Sequence, residues 1–313
     1  MENFSKNLEK YAELSIRTGV NLRKGQPLII LANIETAAFV RAATKKAYES
    51  GAKHVHVEWS DEALSLQKME HAPMEVLESF PDWKKQAYEE WVEEGAAFLS
   101  ITASNPDLFK DVDSERISTA RKTSATALSA FRIATQASQV SWTIVAVPTR
   151  EWTAKVFPDL SEKESIMKLW EYIFKATRTD VEDPIQAWKE HTALLKQKVN
   201  YLNTKKFKKL IYQAPGTDLT IELPETHLWI GGGIVNQQGI YNIHNIPTEE
   251  VFTLPLKTGV NGVVSSTKPL NYGGSLIENF SLTFKEGTII DFTAESGYEA
   301  LQKLIETDEG SHY

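Results

Sequence analysis

Cysteine is absent from the chain. That excludes disulfide staples, zinc-thiolate sites and cysteine nucleophiles, so any metal would have to be held by carboxylate, imidazole or other oxygen donors. Positive charge is in the minority, with 34 Lys and Arg against 42 Asp and Glu, a formal net charge of -8 and a pI near 5.5. Such a surface opposes binding to a polyanion, because each phosphate contact needs a cation that carboxylates locally outnumber. No nucleic-acid partner is expected. Long apolar runs are missing too: no stretch approaches the roughly 20 apolar residues of a membrane span. Residues 1–17 place Leu8, Tyr11, Ala12, Ser15 and Ile16 at helical spacing among charges, unlike the unbroken apolar core of a secretion signal. A soluble, cytoplasmic protein with no membrane partner is expected.

Familiar catalytic signatures are missing as well. The chain has no G-x-S-x-G elbow, no Walker loop, no H-E-x-x-H pair and no G-x-G-x-x-G, which removes several enzyme classes. Gly231-Gly232-Gly233 could cradle an anion on its backbone amides. With no following Lys-Ser and no helix signal, it reads instead as a turn after a strand ending at Trp229-Ile230. His54 and His56 stand two apart on an expected strand, so they share a face and could meet one metal. Without nearby carboxylate partners in the sequence, they read as packing or surface positions.

What is present is a globular composition, 42% hydrophobic and 24% charged over 313 residues, enough for two ordinary cores. The first half alternates strand and helix signals. Leu28 to Leu31 is apolar, a helix from about Thr36 to Tyr48 closes at Gly51, and His54 to Trp59 follows as a strand. A second unit runs through Trp83, Ala87, Tyr88 and Trp91 to Gly95, then the strand Ala97 to Ile101. Ser141 to Val147 gives one more buried strand. Strand, helix, strand in that order makes parallel crossover units. Two helices then close this part, one opened by the capping box Ser161-x-x-Glu164, the other by Asp183 as N-cap with Pro184 as its first residue.

After Asn203 the pattern changes to short alternating strands. Leu210 to Tyr212 leads through the turn Pro215-Gly216-Thr217-Asp218 to Leu219, Ile221 and Leu223. Leu276, Glu278, Phe280, Leu282 and Phe284 show period-two spacing, with Lys285-Glu286-Gly287 as a turn and Thr288 to Thr293 as the returning strand. The expected fold is therefore α/β, an open, mostly parallel sheet flanked by helices over residues 1–203. A β-rich α+β second domain, reading as incomplete, follows over residues 204–313, its last helix carrying Tyr298, Leu301, Leu304 and Ile305.

Chemistry concentrates in one place. Asn245-Ile246-Pro247-Thr248-Glu249-Glu250-Val251-Phe252-Thr253 sets two adjacent carboxylates at the entrance to a strand. Successive strand residues face opposite ways, so at most one of the two looks into a site; taken alone, such a pair is usually solvated surface. The segment, however, resembles the N-x-P-T-E-E-V-F-T motif of the aminopeptidase T and aminopeptidase S family. Gly19, Asn21, Gly25 and Gln26, the run Glu58-Trp59-Ser60-Asp61-Glu62, Pro215 to Thr220 and Asn261-Gly262 resemble the same family, so the likeness extends over the whole chain.

The resemblance implies a metal-dependent aminopeptidase acting on peptides with a free N-terminus. It would hold two divalent ions (zinc, cobalt, manganese or magnesium), activate a water between them, and form a homodimer. It carries a metal-ligand role to Glu250, with Glu249 as the neighbour turned away. The family's other ligands, a second glutamate, histidines and an aspartate, are expected beyond Tyr313, and Gly310-Ser311-His312-Tyr313 resembles the approach to the next of them. No catalytic residue is thus assigned within the chain, and the 313 residues alone are expected to be inactive. The alternative is a non-catalytic protein holding a small ligand between a doubly wound domain and a β-rich one.

Overall fold

A computed structural model of the protein describes residues 2–103, 105, 107–272 and 275–313. The chain divides into two compact units, Met1–Leu194 with Gly232–Glu249, and Leu195–Gly231 with Glu250–Tyr313. The expectation of one boundary after residue 203 differs from this division. The chain passes from the first unit to the second within the helix Pro184–Lys205, and 232–249 belongs with the first unit.

The first unit is built on a five-stranded parallel sheet. Strands β1 (Leu28–Asn33), β2 (Val55–Ser60), β3 (Ala97–Thr102) and β4 (Trp142–Ala146) lie in the spatial order β2-β1-β3-β4, and the two-residue strand Asn245–Ile246 pairs parallel with β4 as the fifth. Both faces are covered, as a parallel sheet requires. Leu28, Ile30, Ala97, Leu99 and Ile101 point into a large cluster with Tyr11, Phe39, Trp170, Phe174 and Trp188 from the helices of one face. The alternate residues Ile29 and Phe98 point the other way, against Val140, Trp91 and Phe131.

Local signals placed the helices around this sheet. The helix Ala37–Glu49 ends before Gly51, whose φ of 88° suits a residue without Cβ. The capping box of Ser161 and Glu164 opens the helix Glu162–Ala176, and the Asp183 side chain accepts from the backbone N–H of Gln186 at 3.0 Å to cap Pro184–Lys205. The N-terminal helix, Glu2–Leu14, carries Tyr11 into the core, where its hydroxyl donates to the Ala146 carbonyl at 3.1 Å and accepts from the Ala146 N–H at 3.0 Å. Burial pushes the Tyr11 pKa well above the usual phenol range.

The second unit is an antiparallel sheet in the spatial order Thr288–Thr293, Ser281–Lys285, Val260–Ser265, Thr217–Glu222, Lys209–Ala214. The first hairpin is tighter than expected: Ala214 pairs with Thr217, so Pro215-Gly216 alone makes the turn and Thr217-Asp218 are already strand. The expected long strand from Leu276 to Phe284 is broken. Asn279 takes a left-handed φ of 47°, so Ser275–Ile277 pairs with Leu270–Tyr272 while Ser281–Lys285 joins the main sheet. The amphipathic helix Tyr298–Ile305 buries Leu301 and Ile305 with Ile277.

Candidate functional site

The acidic turn is held by its flanks. On its N-terminal side, Asn245–Ile246 is locked into the parallel sheet, and the Ile144 N–H donates to the His244 carbonyl at 2.8 Å. The Ile246-Pro247 peptide bond is cis. On its C-terminal side, Val251–Phe252 pairs antiparallel with Ile230–Gly231. Gly231 is required there, since a Cβ would stand 2.7 Å from the Glu250 carbonyl oxygen. The glycine triplet is thus part of the scaffold of the turn: Gly231 lies in a strand, while Gly232 and Gly233 take φ of 75° and 128°.

The two carboxylates have different surroundings. Glu249 accepts from Arg178 at both oxygens, Nη1 to Oε1 at 2.8 Å and Nη2 to Oε2 at 3.2 Å. The same Nη2 lies 3.2 Å from Nδ1 of His191. Because a guanidinium only donates, Nδ1 is the acceptor, which leaves Nε2 to carry the proton and donate to the Thr248 carbonyl at 2.7 Å. His191 Nε2 also stands 3.5 Å from the second oxygen of Glu249. The hydrogen bond from Arg178 holds the Glu249 carboxyl below its usual pKa; partial burial opposes this, while the guanidinium charge adds to it.

Arg178 is itself placed by the fold. It sits at a left-handed φ of 58° just after the helix Glu162–Ala176, with its guanidinium 5.4 Å from the ring centre of Trp188. Trp188 is fully buried, and its Nε1 donates to the Thr177 carbonyl at 2.7 Å. Arg178 and His191 lie far upstream of the acidic motif, and sequence reading missed both. A lone Arg in a loop and a lone His on a long helix carry no spacing signal that ties them to residue 249.

Glu250 is exposed, the first residue of the second unit, and it opens the strand Val251–Phe252. Among the described residues, no group of three or more His, Asp or Glu side chains is placed to hold a metal ion. A divalent ion takes roughly four to six donors, so the described residues fit such an ion only as contributors to a larger donor set. His54 and His56 lie apart from this turn in the chain: His54 precedes β2, and the exposed His56 packs its ring 4.9 Å from that of Trp91, with Nε2 3.9 Å from Glu58. Among the described residues no helix is long and apolar enough to cross a membrane.

The chain thus has a parallel α/β unit and an antiparallel unit, with a clamped acidic turn where the sequence passes from Glu249 to Glu250, and comparison with known proteins supplies the class. The chain matches the model of the thermophilic metalloprotease family (M29) over residues 4–313. It is 52% identical to aminopeptidase 2 of Geobacillus stearothermophilus, over 99% of this chain and 75% of that protein, and 50% identical to aminopeptidase AmpS of Bacillus subtilis, over 100% and 76%. The structure of wild-type AmpT from Thermus thermophilus superposes with a TM-score of 0.94 at 40% identity, over 99% of this chain and 76% of that one. The chain belongs to the M29 metalloprotease family and is an enzyme, a hydrolase; membership implies a divalent metal cofactor.

Proposed function

We propose that the protein is a metal-dependent aminopeptidase that removes N-terminal residues from peptides with a free N-terminus, with Glu250 giving one carboxylate to a pair of divalent ions. The observation that carries the assignment is the engagement of its neighbour. Glu249 is bound by Arg178 at both oxygens, a clamp that holds the turn and sets the exposed Glu250 at the start of the strand Val251–Phe252. The family match and the aminopeptidase names of the relatives support the reaction.

When bound, such ions would lower the pKa of a water so that it could act as the nucleophile and would anchor a free α-amine. The part played by the described residues is to set the turn. Arg178 neutralises Glu249, His191 fixes the Thr248 carbonyl, and the pairing of Gly231 with Val251 aligns the strand that follows Glu250. In this reading Glu250 is one donor of a larger set, and the 313-residue chain is expected to bind zinc or cobalt weakly and to hydrolyse nothing. A cytoplasmic location and a homodimer belong to the same proposal, and light scattering on the purified protein tests the second.

The deciding assay follows hydrolysis of an aminoacyl-p-nitroanilide after chelation and after adding back cobalt or zinc. It is run on the 313-residue protein and on a chimera supplying the part of Geobacillus stearothermophilus aminopeptidase 2 outside the match. Metal-restored turnover in the chimera alone, abolished by Glu250→Ala, is the expected result. No turnover in either returns the protein to the ligand-binding alternative, and turnover by the 313-residue protein overturns the incomplete-site reading.

A further inference from the structure

The order β2-β1-β3-β4 reverses direction at the β1/β3 pair. Crossovers leaving those two strands go opposite ways, and in open α/β sheets this opens a crevice at the carboxyl ends where ligands bind. The first unit has such a crevice, of about 450 Å³, at the carboxyl ends of β1, β2 and β3, within the roughly 300–1,000 Å³ of small-molecule pockets. It lies within one unit and shares no residue with the acidic turn.

Its lining has three parts. Glu62 is half-buried at the start of the helix Glu62–His71, with both carboxylate oxygens accepting from the Asn105 N–H at 3.0 and 3.2 Å. Lys84 enters from the helix Asp82–Glu93 and forms an ion pair with Glu58 of β2. Leu108, Phe109 and Trp59, the last 44% exposed, make an apolar wall. A carboxylate, an ammonium and an apolar wall in one small crevice are the complement of an unblocked α-amino acid: its ammonium toward Glu62, its carboxylate toward Lys84, its side chain against the wall.

We infer that this crevice is a second ligand site, one that takes a free α-amino acid. Burial, together with the nearby carboxylates of Glu35, Glu151 and Asp61, raises the Glu62 pKa against the opposing hydrogen bond from Asn105, and a cationic ammonium beside Glu62 would relieve that pressure. The inference rests on the aminopeptidase reading only for the source of the ligand, since release of N-terminal residues supplies free amino acids.

Calorimetric titration of L-leucine into the chelated protein tests it without turnover. Saturable binding is expected, weakened about tenfold or more in Glu62→Gln and in Lys84→Met, weakened likewise for N-acetyl-L-leucine and L-leucinamide, and unchanged in Glu250→Ala. Ser65→Phe, which fills the crevice, should abolish binding while thermal unfolding shows the fold intact; it guards against loss of folding in the charge variants. No saturable binding of L-leucine to the wild-type protein, binding indifferent to Glu62→Gln, Lys84→Met and Ser65→Phe, or binding lost in Glu250→Ala overturns the inference. Failure of the hydrolysis assay leaves this titration unaffected, so the two readings fail separately.

Discussion

Arg178 grips both carboxylate oxygens of Glu249, at 2.8 and 3.2 Å, across 71 residues of sequence. Its partner is more than half exposed, so the pair adds little to global stability, about 0–1 kcal/mol. Its consequence is local: a bidentate contact fixes the direction of the Thr248-Glu249 backbone, and with it the start of the strand that Glu250 opens.

Groups that orient a metal ligand typically cost about 10–100-fold in affinity or activity when removed. Arg178→Ala in the active chimera should fall in that range, and Arg178→Lys should recover little, since an ammonium cannot make the two parallel contacts. Glu249→Gln should resemble Arg178→Ala, whereas Glu250→Ala should exceed both. Cobalt titration alongside turnover checks the ranking; equal effects at 249 and 250 would reassign the ligand.

Gly231→Ala should destabilise the protein by about 1–3 kcal/mol, the usual cost of forcing an atom into filled space, because its Cβ would meet the Glu250 carbonyl oxygen at 2.7 Å. Gly239→Ala meets nothing within 4 Å but sits at a φ of 75°, so its cost comes from backbone strain alone. Urea denaturation of the two variants separates the effects. A silent Gly231→Ala would mean the close approach is absent in solution.

His244 stacks on Trp142 with ring centres 3.9 Å apart, and its Nε2 is buried without a hydrogen-bond partner. Burial depresses its pKa to about 4. With the folded value below the unfolded 6.5, the unfolded chain binds the extra proton between those limits, so stability falls as pH drops from about 6.5 toward 4. Midpoints of urea denaturation at pH 7.5 and pH 5 should differ in the wild-type protein and differ less in His244→Phe. An unchanged difference would place the titrating group elsewhere.

Tyr11→Phe removes the hydroxyl that both donates to and accepts from Ala146. Two part-buried backbone groups at the end of β4 then lose their partner, at up to about 1–3 kcal/mol for each group left unpaired. A melting temperature lowered with no change in the far-ultraviolet circular dichroism is the expected signature.

Local rules made much of the fold legible. The apolar runs at Leu28 and Ala97, the capping box at Ser161 and the Asp183-Pro184 start all depend on residues within a few positions of one another, and each formed as the spacing implies. Asn279 defeated a clean period-two pattern because one left-handed residue rotates the strand, and hydropathy does not record φ.

The sequence by itself determined the α/β class, the antiparallel second part, the family motif at Asn245 to Thr253 and the exclusion of thiol chemistry. Only the tertiary structure decided that Asn245–Ile246 completes the parallel sheet, and that Arg178 and His191 take hold of Glu249 and Thr248. The reason is physical: a two-residue strand is too short to carry a period, and a long-range ion pair is set by where packed helices deliver their side chains, which no local spacing encodes.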